Sequence, residues 1–224
     1  MPGRVISDMI HLPFADRSEA GRLLAEELLR LDLPSNVIVL ALPRGGVPVG
    51  WEVANALGAT LDVVIIRKLG VPSQPELAMG AIASDSFRIL DDKLIAEVGI
   101  SREEIGAVVA EETAELARRE KLYRGVRPKL DLHRRTAVLV DDGLATGSTM
   151  LVAARFVRSL RPEKTLIAVP VGSTQACRRL KKEADGCICL ATPEPFNAVG
   201  EWYIDFRQVT DQEVRHFLEP STAA

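Results

Sequence analysis

Apolar residues in this chain come in short, nearly unbroken runs rather than in strict alternation. Five such runs, rich in β-branched side chains, cover residues 37–42, 61–66, 137–140, 165–171 and 187–191. A strand with one wet face alternates apolar with polar, so unbroken runs predict strands covered on both faces, as in a parallel sheet between helices. Helical patterns lie between them. Residues 47–57 follow a Gly-Gly turn, 148–160 follow a Thr-Gly turn, and 174–184 have Thr174 as N-cap. A further helix over 18–31 is expected to precede the first strand and cover one face of the sheet. The pattern predicts an α/β fold: a parallel sheet of about five core strands flanked by helices, joined by right-handed crossovers.

The middle of the chain departs from this rhythm. Residues 70–90 are rich in Gly, Pro and Ser, with short strand-like pieces at 80–83 and 87–90. Asp91-Asp92 reads as a turn and helix start. Ser101 and Glu104 form a capping box opening a charged helix to about Tyr123, whose Glu and Arg residues read as a solvated face with no chemistry. No linker is visible, so residues 1–224 read as one domain. An inserted loop–hairpin–helix segment, about 70–136, separates the second and third core strands.

Composition narrows the class. With 47% hydrophobic residues in 224, a full core can form. No run approaches the ~18 apolar residues of a membrane span, and the N-terminal stretch lacks a signal-peptide core. A formal charge of −3 without a basic block argues against nucleic acid as partner. Three cysteines, an odd number, argue against a disulfide scaffold and for a reducing, cytoplasmic setting. Cys187 and Cys189 lie in a strand-like run and are read as pointing to opposite faces, hence not a metal pair. The three histidines, His11, His133 and His216, stand far apart.

One segment concentrates chemistry. The run ending at Val140 delivers Asp141 and Asp142, then Gly143-Leu144-Ala145-Thr146-Gly147-Ser148-Thr149, and then a helix. Ligands of open α/β sheets bind beyond the carboxyl ends of strands. Helix-leading amides and the dipole favour phosphate, Gly147 permits close approach, and Thr146, Ser148 and Thr149 add hydroxyl donors. Paired carboxylates can accept hydrogen bonds from a vicinal diol or hold hydrated Mg²⁺. Phosphate plus diol describes a ribose 5-phosphate. A second segment, Pro43-Arg44-Gly45-Gly46, offers a forked cation and free amides between strand and helix. A third, Arg67-Lys68, is read as a basic pair at the end of the second strand.

The acid pair followed by Thr-Gly-Ser-Thr resembles the phosphoribosyl-pyrophosphate signature of the type I phosphoribosyltransferases. That resemblance implies that Asp141 and Asp142 bind the ribose 2- and 3-hydroxyls and, through water, Mg²⁺. It implies that Ala145, Thr146, Gly147, Ser148 and Thr149 wrap the 5-phosphate. Gly143 departs from the family, which usually has a bulky apolar residue there. Ala145 is similar to the adenine enzymes; the hypoxanthine-guanine enzymes have Asp at that place. The Pro43–Gly46 turn resembles the family's pyrophosphate loop, which often contains a strained or cis peptide near its basic residue. Arg67-Lys68 resembles the pair that leads into a mobile catalytic loop in adenine and orotate enzymes, here residues 70–80. The stretches around Arg67–Ala81 and Trp202–Phe206 also resemble a group of small bacterial phosphoribosyltransferase-like proteins.

The family's acceptor base is stacked by a small hood built from terminal segments, implied here at about 192–210. Only ten residues are aromatic, yet Phe196, Trp202, Tyr203 and Phe206 fall together, and the first three are candidates for stacking on the base. The reading that follows is an Mg²⁺-dependent enzyme. It moves ribose 5-phosphate from phosphoribosyl pyrophosphate to a nitrogenous base, with Asp141, Asp142, Arg67 and Lys68 serving the transition state and Arg44, Gly45 and Gly46 the pyrophosphate. Its partners are small molecules, with neither nucleic acid nor membrane, and a homodimer is compatible with the fold. The alternative is a non-catalytic sensor of phosphoribosyl pyrophosphate or nucleotide on the same fold. A phosphatase of the haloacid-dehalogenase type needs Asp-x-Asp on one side of the chain, which adjacent acids do not supply.

Overall fold

The computed structural model describes residues 10–219; the signal-peptide reading of residues 1–9 lies outside them. Helix α1 (Arg17–Leu29) leads into strand β1 (Val37–Ala41), helix α2 (Gly46–Leu57) and strand β2 (Thr60–Val63). Next come β3 (Arg67–Val71), β4 (Gln74–Ile82), β5 (Arg88–Leu90), α3 (Asp92–Val98) and α4 (Arg102–Arg124). The chain then runs through β6 (Thr136–Val140), α5 (Ser148–Ser159), β7 (Lys164–Val171), α6 (Thr174–Leu180) and β8 (Gly186–Ala191). A short 3-10 turn (Val199–Trp202) and α7 (Asp211–Leu218) follow.

The main sheet has the order β2-β1-β6-β7-β8, and every neighbouring pair is parallel. All five residues of β1 and all five of β6 are buried, which explains their unbroken apolarity. Alternate residues feed two cores. Val37, Val39, Val138 and Val140 meet Leu24 and Leu28 of α1 and Val49 and Val53 of α2. Ile38, Leu40, Ala137 and Leu139 meet Met150, Ala153 and Phe156 of α5 on the other face. At about 1.5–3 kcal/mol for each large side chain fully buried, these layers are the main source of stability. After β1 the chain moves to β2 on one side, and it later returns to β6 on the other. The crevice between the carboxyl ends of β1 and β6 is therefore the switch point where ligands of such sheets bind.

The inserted residues make a second, antiparallel sheet of order β3-β4-β5. Its inner face, with Leu69, Val71, Met79 and Ile82, packs on Leu116 and Tyr123 of α4 and Val214 and Leu218 of α7. Three expectations change here. The run 61–66 is not one strand: β2 ends at Val63, and Val64 and Ile65 stay apolar because they are buried in the joint between the sheets. Residues 70–80 are not an open loop: β3 and β4 pair from Arg67↔Ile82 to Val71↔Gln74, leaving Pro72-Ser73 at the tip. The helix expected over 174–184 is capped by Ser173, not Thr174, and gives way after Leu180 to tight turns, Lys182 N–H to Arg179 O and Glu183 N–H to Leu180 O. The capping box at Ser101 and Glu104 forms as predicted.

Candidate functional site

Two loops meet at the switch point. The Asp142 amide donates to Asp141 Oδ1 at 2.9 Å. The turn from Pro43 to Gly46 presses on these acids so closely that a Cβ added at Gly45 would lie 2.0 Å from Asp142 Oδ2. One added at Gly46 would lie 2.8 Å from the Asp141 Cα. Only glycine admits that approach, so the Gly-Gly pair is dictated by the carboxylates opposite it. The Pro43–Arg44 peptide is cis, as the resemblance led us to expect for this loop. Burial pushes both carboxyls upward, Asp141 further because Asp142 stands beside it, while Arg17 pulls Asp142 back down.

The next loop is anchored from beneath. Leu144 is buried, its amide donates to Val171 O at 2.9 Å, and its carbonyl accepts from Ser173 N–H at 2.8 Å. The Ser173 hydroxyl donates to Ala145 O at 2.7 Å. Ala145 and Thr146 are thereby held out to solvent while Gly147 turns at φ +71° into the start of α5. Gly147 offers no side-chain cap; Thr146 Oγ1 accepts from the Ser148 amide at 3.4 Å, and the amides of Thr149 and Met150 are left for a ligand. Thr146, Ser148 and Thr149 surround them, with Thr146 Oγ1 3.2 Å from Ser148 Oγ. Gly143 also finds its reason: a Cβ there would stand 2.5 Å from Cγ1 of Val199, whose side chain fills the space a bulky residue would need.

The candidate cations are not gathered as expected. Arg44 lies at the crevice with Nη1 3.5 Å from Asp211 Oδ1, and that carboxylate also accepts from the Tyr123 hydroxyl at 2.6 Å. Arg67 opens β3 and donates through Nε to Glu112 of α4 at 2.6 Å. Lys68, the next residue of the strand, is exposed and points to the opposite face. The two therefore cannot address one anion together from this strand, and Arg67 has the local carboxylate partner. Helix α4, read from sequence as a solvated face, in fact turns Glu112, Tyr123 and Arg124 inward. Arg124 grips buried Asp62 at 3.0 and 3.1 Å.

Among the stacking candidates, Tyr203 is withdrawn from that role by its own surroundings. It is buried, Phe206 stacks on it at 5.1 Å, Phe14 lies 5.5 Å away, and its hydroxyl donates to the Asp142 carbonyl at 2.6 Å. Phe196 and Trp202 are half-buried neighbours, 6.1 Å apart, against the same cluster. The reading of Cys187 and Cys189 as opposed is also corrected. Residues two apart on a strand share a face, and Cys187 and Cys189 both pack against the cluster that holds Cys177 of α6, with Cys189 Sγ donating to Ala191 O at 3.2 Å. Burial pushes the Cys187 thiol up to about 12.

Nothing in the sequence pointed to Arg17. It begins α1, is 9% exposed, and donates Nε–H to Asp142 Oδ2 at 2.8 Å across 125 positions of chain. Asp211 and Tyr123 were missed too. The signal for Asp211 was available, because Thr210 and Glu213 form a capping box that starts α7.

With this geometry in hand, the similarities of the chain acquire meaning. The model of the phosphoribosyl transferase domain matches residues 17–204, from the arginine on the acid pair to just past Tyr203. The chain belongs to that family. A Mycobacterium tuberculosis protein (strain H37Rv), provisionally named phosphoribosyl transferase Rv0571c, is 46% identical over 206 residues, 92% of this chain. The chain spans only 46% of that relative's length. The crystal structure of TT1426 from Thermus thermophilus is 42% identical, with a TM-score of 0.80 over 92% of this chain and 98% of that one. No helix among the described residues is long and apolar enough to cross a membrane.

Proposed function

We propose that the protein is a phosphoribosyltransferase that takes ribose 5-phosphate from phosphoribosyl pyrophosphate and delivers it to a nitrogenous base, releasing pyrophosphate. The observation that carries this reading is the acid pair at the switch point of a parallel sheet, pressed by the Gly45-Gly46 turn on one side and followed on the other by the glycine-opened start of α5. Helix-leading amides and hydroxyls on one side of two carboxylates, and the Arg44 guanidinium on the other, suit a sugar diol flanked by a phosphate and a pyrophosphate.

In this scheme the amides and hydroxyls of Ala145 to Thr149 hold the 5-phosphate, and Asp141 and Asp142 hold the ribose hydroxyls. Arg44, Gly45 and Gly46 face the pyrophosphate, for which Arg44 must exchange its contact with Asp211. Lys68, on the exposed face of β3, adds charge near the leaving group; Arg67 contributes only if it leaves Glu112. The segment at about 192–210 is the hood over the acceptor, with Phe196 and Trp202 as its remaining stacking candidates. Hard oxygen donors suit Mg²⁺, and the acid pair supplies them: Asp141 and Asp142 would hold the ion through water. When bound, Mg²⁺ supplies neutralisation of the departing pyrophosphate. The chain's own residues hold the ribose while the bond at C1 lengthens, so their work is electrostatic.

Thermal unfolding tests the reading. Phosphoribosyl pyrophosphate with Mg²⁺ at a hundredfold excess over Kd raises stability by about 2.7 kcal/mol. Absence of any binding heat at millimolar ligand in calorimetry overturns it.

A further inference from the structure

Arg17 is a charged side chain buried at the acid pair with no part in the scheme above. Its guanidinium is held on three sides. Nε donates to Asp142 Oδ2 at 2.8 Å, Nη1 donates to the Arg207 carbonyl at 2.9 Å, and Cζ lies 4.0 Å from the centre of the Phe206 ring. The last is a cation–π contact in a site largely removed from water, where such contacts are strongest. The platform is itself fixed. Phe206 stacks on Tyr203, and the chain beside it is zipped to the N-terminal segment by Ile204 N–H to Phe14 O and Asp205 N–H to Ala15 O, at 2.8 and 2.9 Å. Asp142 is thus gripped twice from the same terminal layer, by Arg17 at its carboxylate and by the Tyr203 hydroxyl at its carbonyl.

The consequence lies in which oxygens remain. Asp141 commits Oδ1 to the Asp142 amide, and Asp142 commits Oδ2 to Arg17. Each acid then has one oxygen left, Asp141 Oδ2 and Asp142 Oδ1, two acceptors for the two hydroxyls of one diol. Without Arg17 a second buried carboxylate beside the first is repelled and free to rotate; with it, charge and rotamer are both set.

We propose that Arg17 is a positioning residue for ribose recognition: it fixes Asp142 so that one oxygen faces the sugar diol, and it ties that orientation to the docking of Tyr203–Arg207. The proposal rests on the phosphoribosyl reading of the acid pair. It concerns the ribose first, because the hydrogen bonds of Arg17 go to Asp142 and to the Arg207 carbonyl and to no residue of the Pro43–Gly46 turn or the Thr146–Thr149 loop.

Calorimetry with ribose 5-phosphate and, separately, with pyrophosphate and Mg²⁺ distinguishes the possibilities. In Arg17→Gln, ribose 5-phosphate binds about ten- to a hundredfold more weakly, the size expected when a charge-assisted hydrogen bond is removed, and pyrophosphate binds as in the wild type. Arg17→Lys, which keeps charge but not the three-sided fit, recovers part of the loss. Phe206→Leu weakens ribose 5-phosphate about threefold by removing the platform alone, and it decides the matter if Arg17→Gln does not fold. Ribose 5-phosphate affinity within about twofold of wild type in both Arg17→Gln and Phe206→Leu overturns the proposal, as does equal weakening of both ligands. A wild-type protein that binds neither ligand overturns the phosphoribosyl reading itself.

Discussion

Among the described residues, two helices start differently from the other five. Asp16, Asp91, Ser101, Ser173 and Thr210 each place a side-chain oxygen on an amide three residues on, capping α1, α3, α4, α6 and α7. Helices α2 and α5 begin behind Gly45 and Gly147, with no side-chain cap. A cap is worth about 1 kcal/mol, so forgoing two of them needs a reason. The uncapped pair flanks Asp141 and Asp142, while capped α1 and α7 bring the side chains of Arg17 and Asp211 to the same crevice and the α6 cap, Ser173, braces Ala145. In α5 the amides after Ser148 are left for an anion. In α2 the Gly46 and Val47 amides turn back to Leu42 O and Arg44 O, at 3.1 Å each, and Pro48 has no N–H, so there the glycines serve the close approach to the acids.

The largest effect expected comes from the acids between the two uncapped starts. Asp141→Asn/Asp142→Asn weakens phosphoribosyl pyrophosphate by at least about a hundredfold, because two charge-assisted hydrogen bonds to the sugar become neutral ones, while the fold persists. Calorimetry and circular dichroism check this, and normal binding by the double variant removes the diol role. Next, α2 cannot be given the cap it lacks. In Gly45→Ser the new Cβ falls where Asp142 Oδ2 now stands, 2.0 Å away, so the carboxylate must move. The expected result is about tenfold weaker ligand binding along with a lower melting temperature, because an acid is misplaced within a packed site. A variant that gains stability and binds normally would erase the contrast between the two sets of helices.

A smaller effect is expected on the capped side. Ser101→Ala costs α4 about 1 kcal/mol in denaturant unfolding and leaves ligand affinity unchanged. The smallest concerns Tyr123, whose hydroxyl donates to Asp211 at the start of α7. Burial pushes its phenol up to about 12, with the Asp211 hydrogen bond acting in the same direction. The folded state thus holds this proton more tightly than the unfolded chain, whose tyrosines titrate near pH ~10. That contribution to stability is complete below pH ~10 and is lost as pH rises toward 12. Alkaline thermal melts of wild type and Tyr123→Phe check it: the substitution removes that part of the decline, and superimposable pH profiles would show that the contact is inert.

Much of the fold was legible because the core strands are buried on both faces. Complete burial in β1 and β6 leaves no polar residue to interrupt the run, so the strands announce themselves. The same rule misled at residues 61–66, where apolarity continues past the end of β2 at Val63. Burial in the joint between two sheets looks in sequence like burial within one. Residues 70–80 misled in the opposite way, since Gly and Pro suggested a loop where a bulged hairpin forms. The reading of Cys187 and Cys189 failed on strand geometry itself, because residues two apart share a face.

The sequence by itself determined the parallel sheet, the acid pair at the end of its central strand, and the two glycine-opened helices beside it. Each is a local matter: periodicity, a motif of about a dozen neighbours, a turn. Only the tertiary structure decided which charges those groups meet. Arg17 reaches Asp142 across 125 positions, Asp211 reaches Arg44 across 167, and Glu112 takes Arg67 across 45. Tyr203 could be read as a stacking residue until its faces were seen to be covered by Phe14 and Phe206. An ion pair leaves no periodicity in the chain, and a ring is counted the same whether its face is covered or open. Both depend on which elements the packing of the sheet brings to one edge.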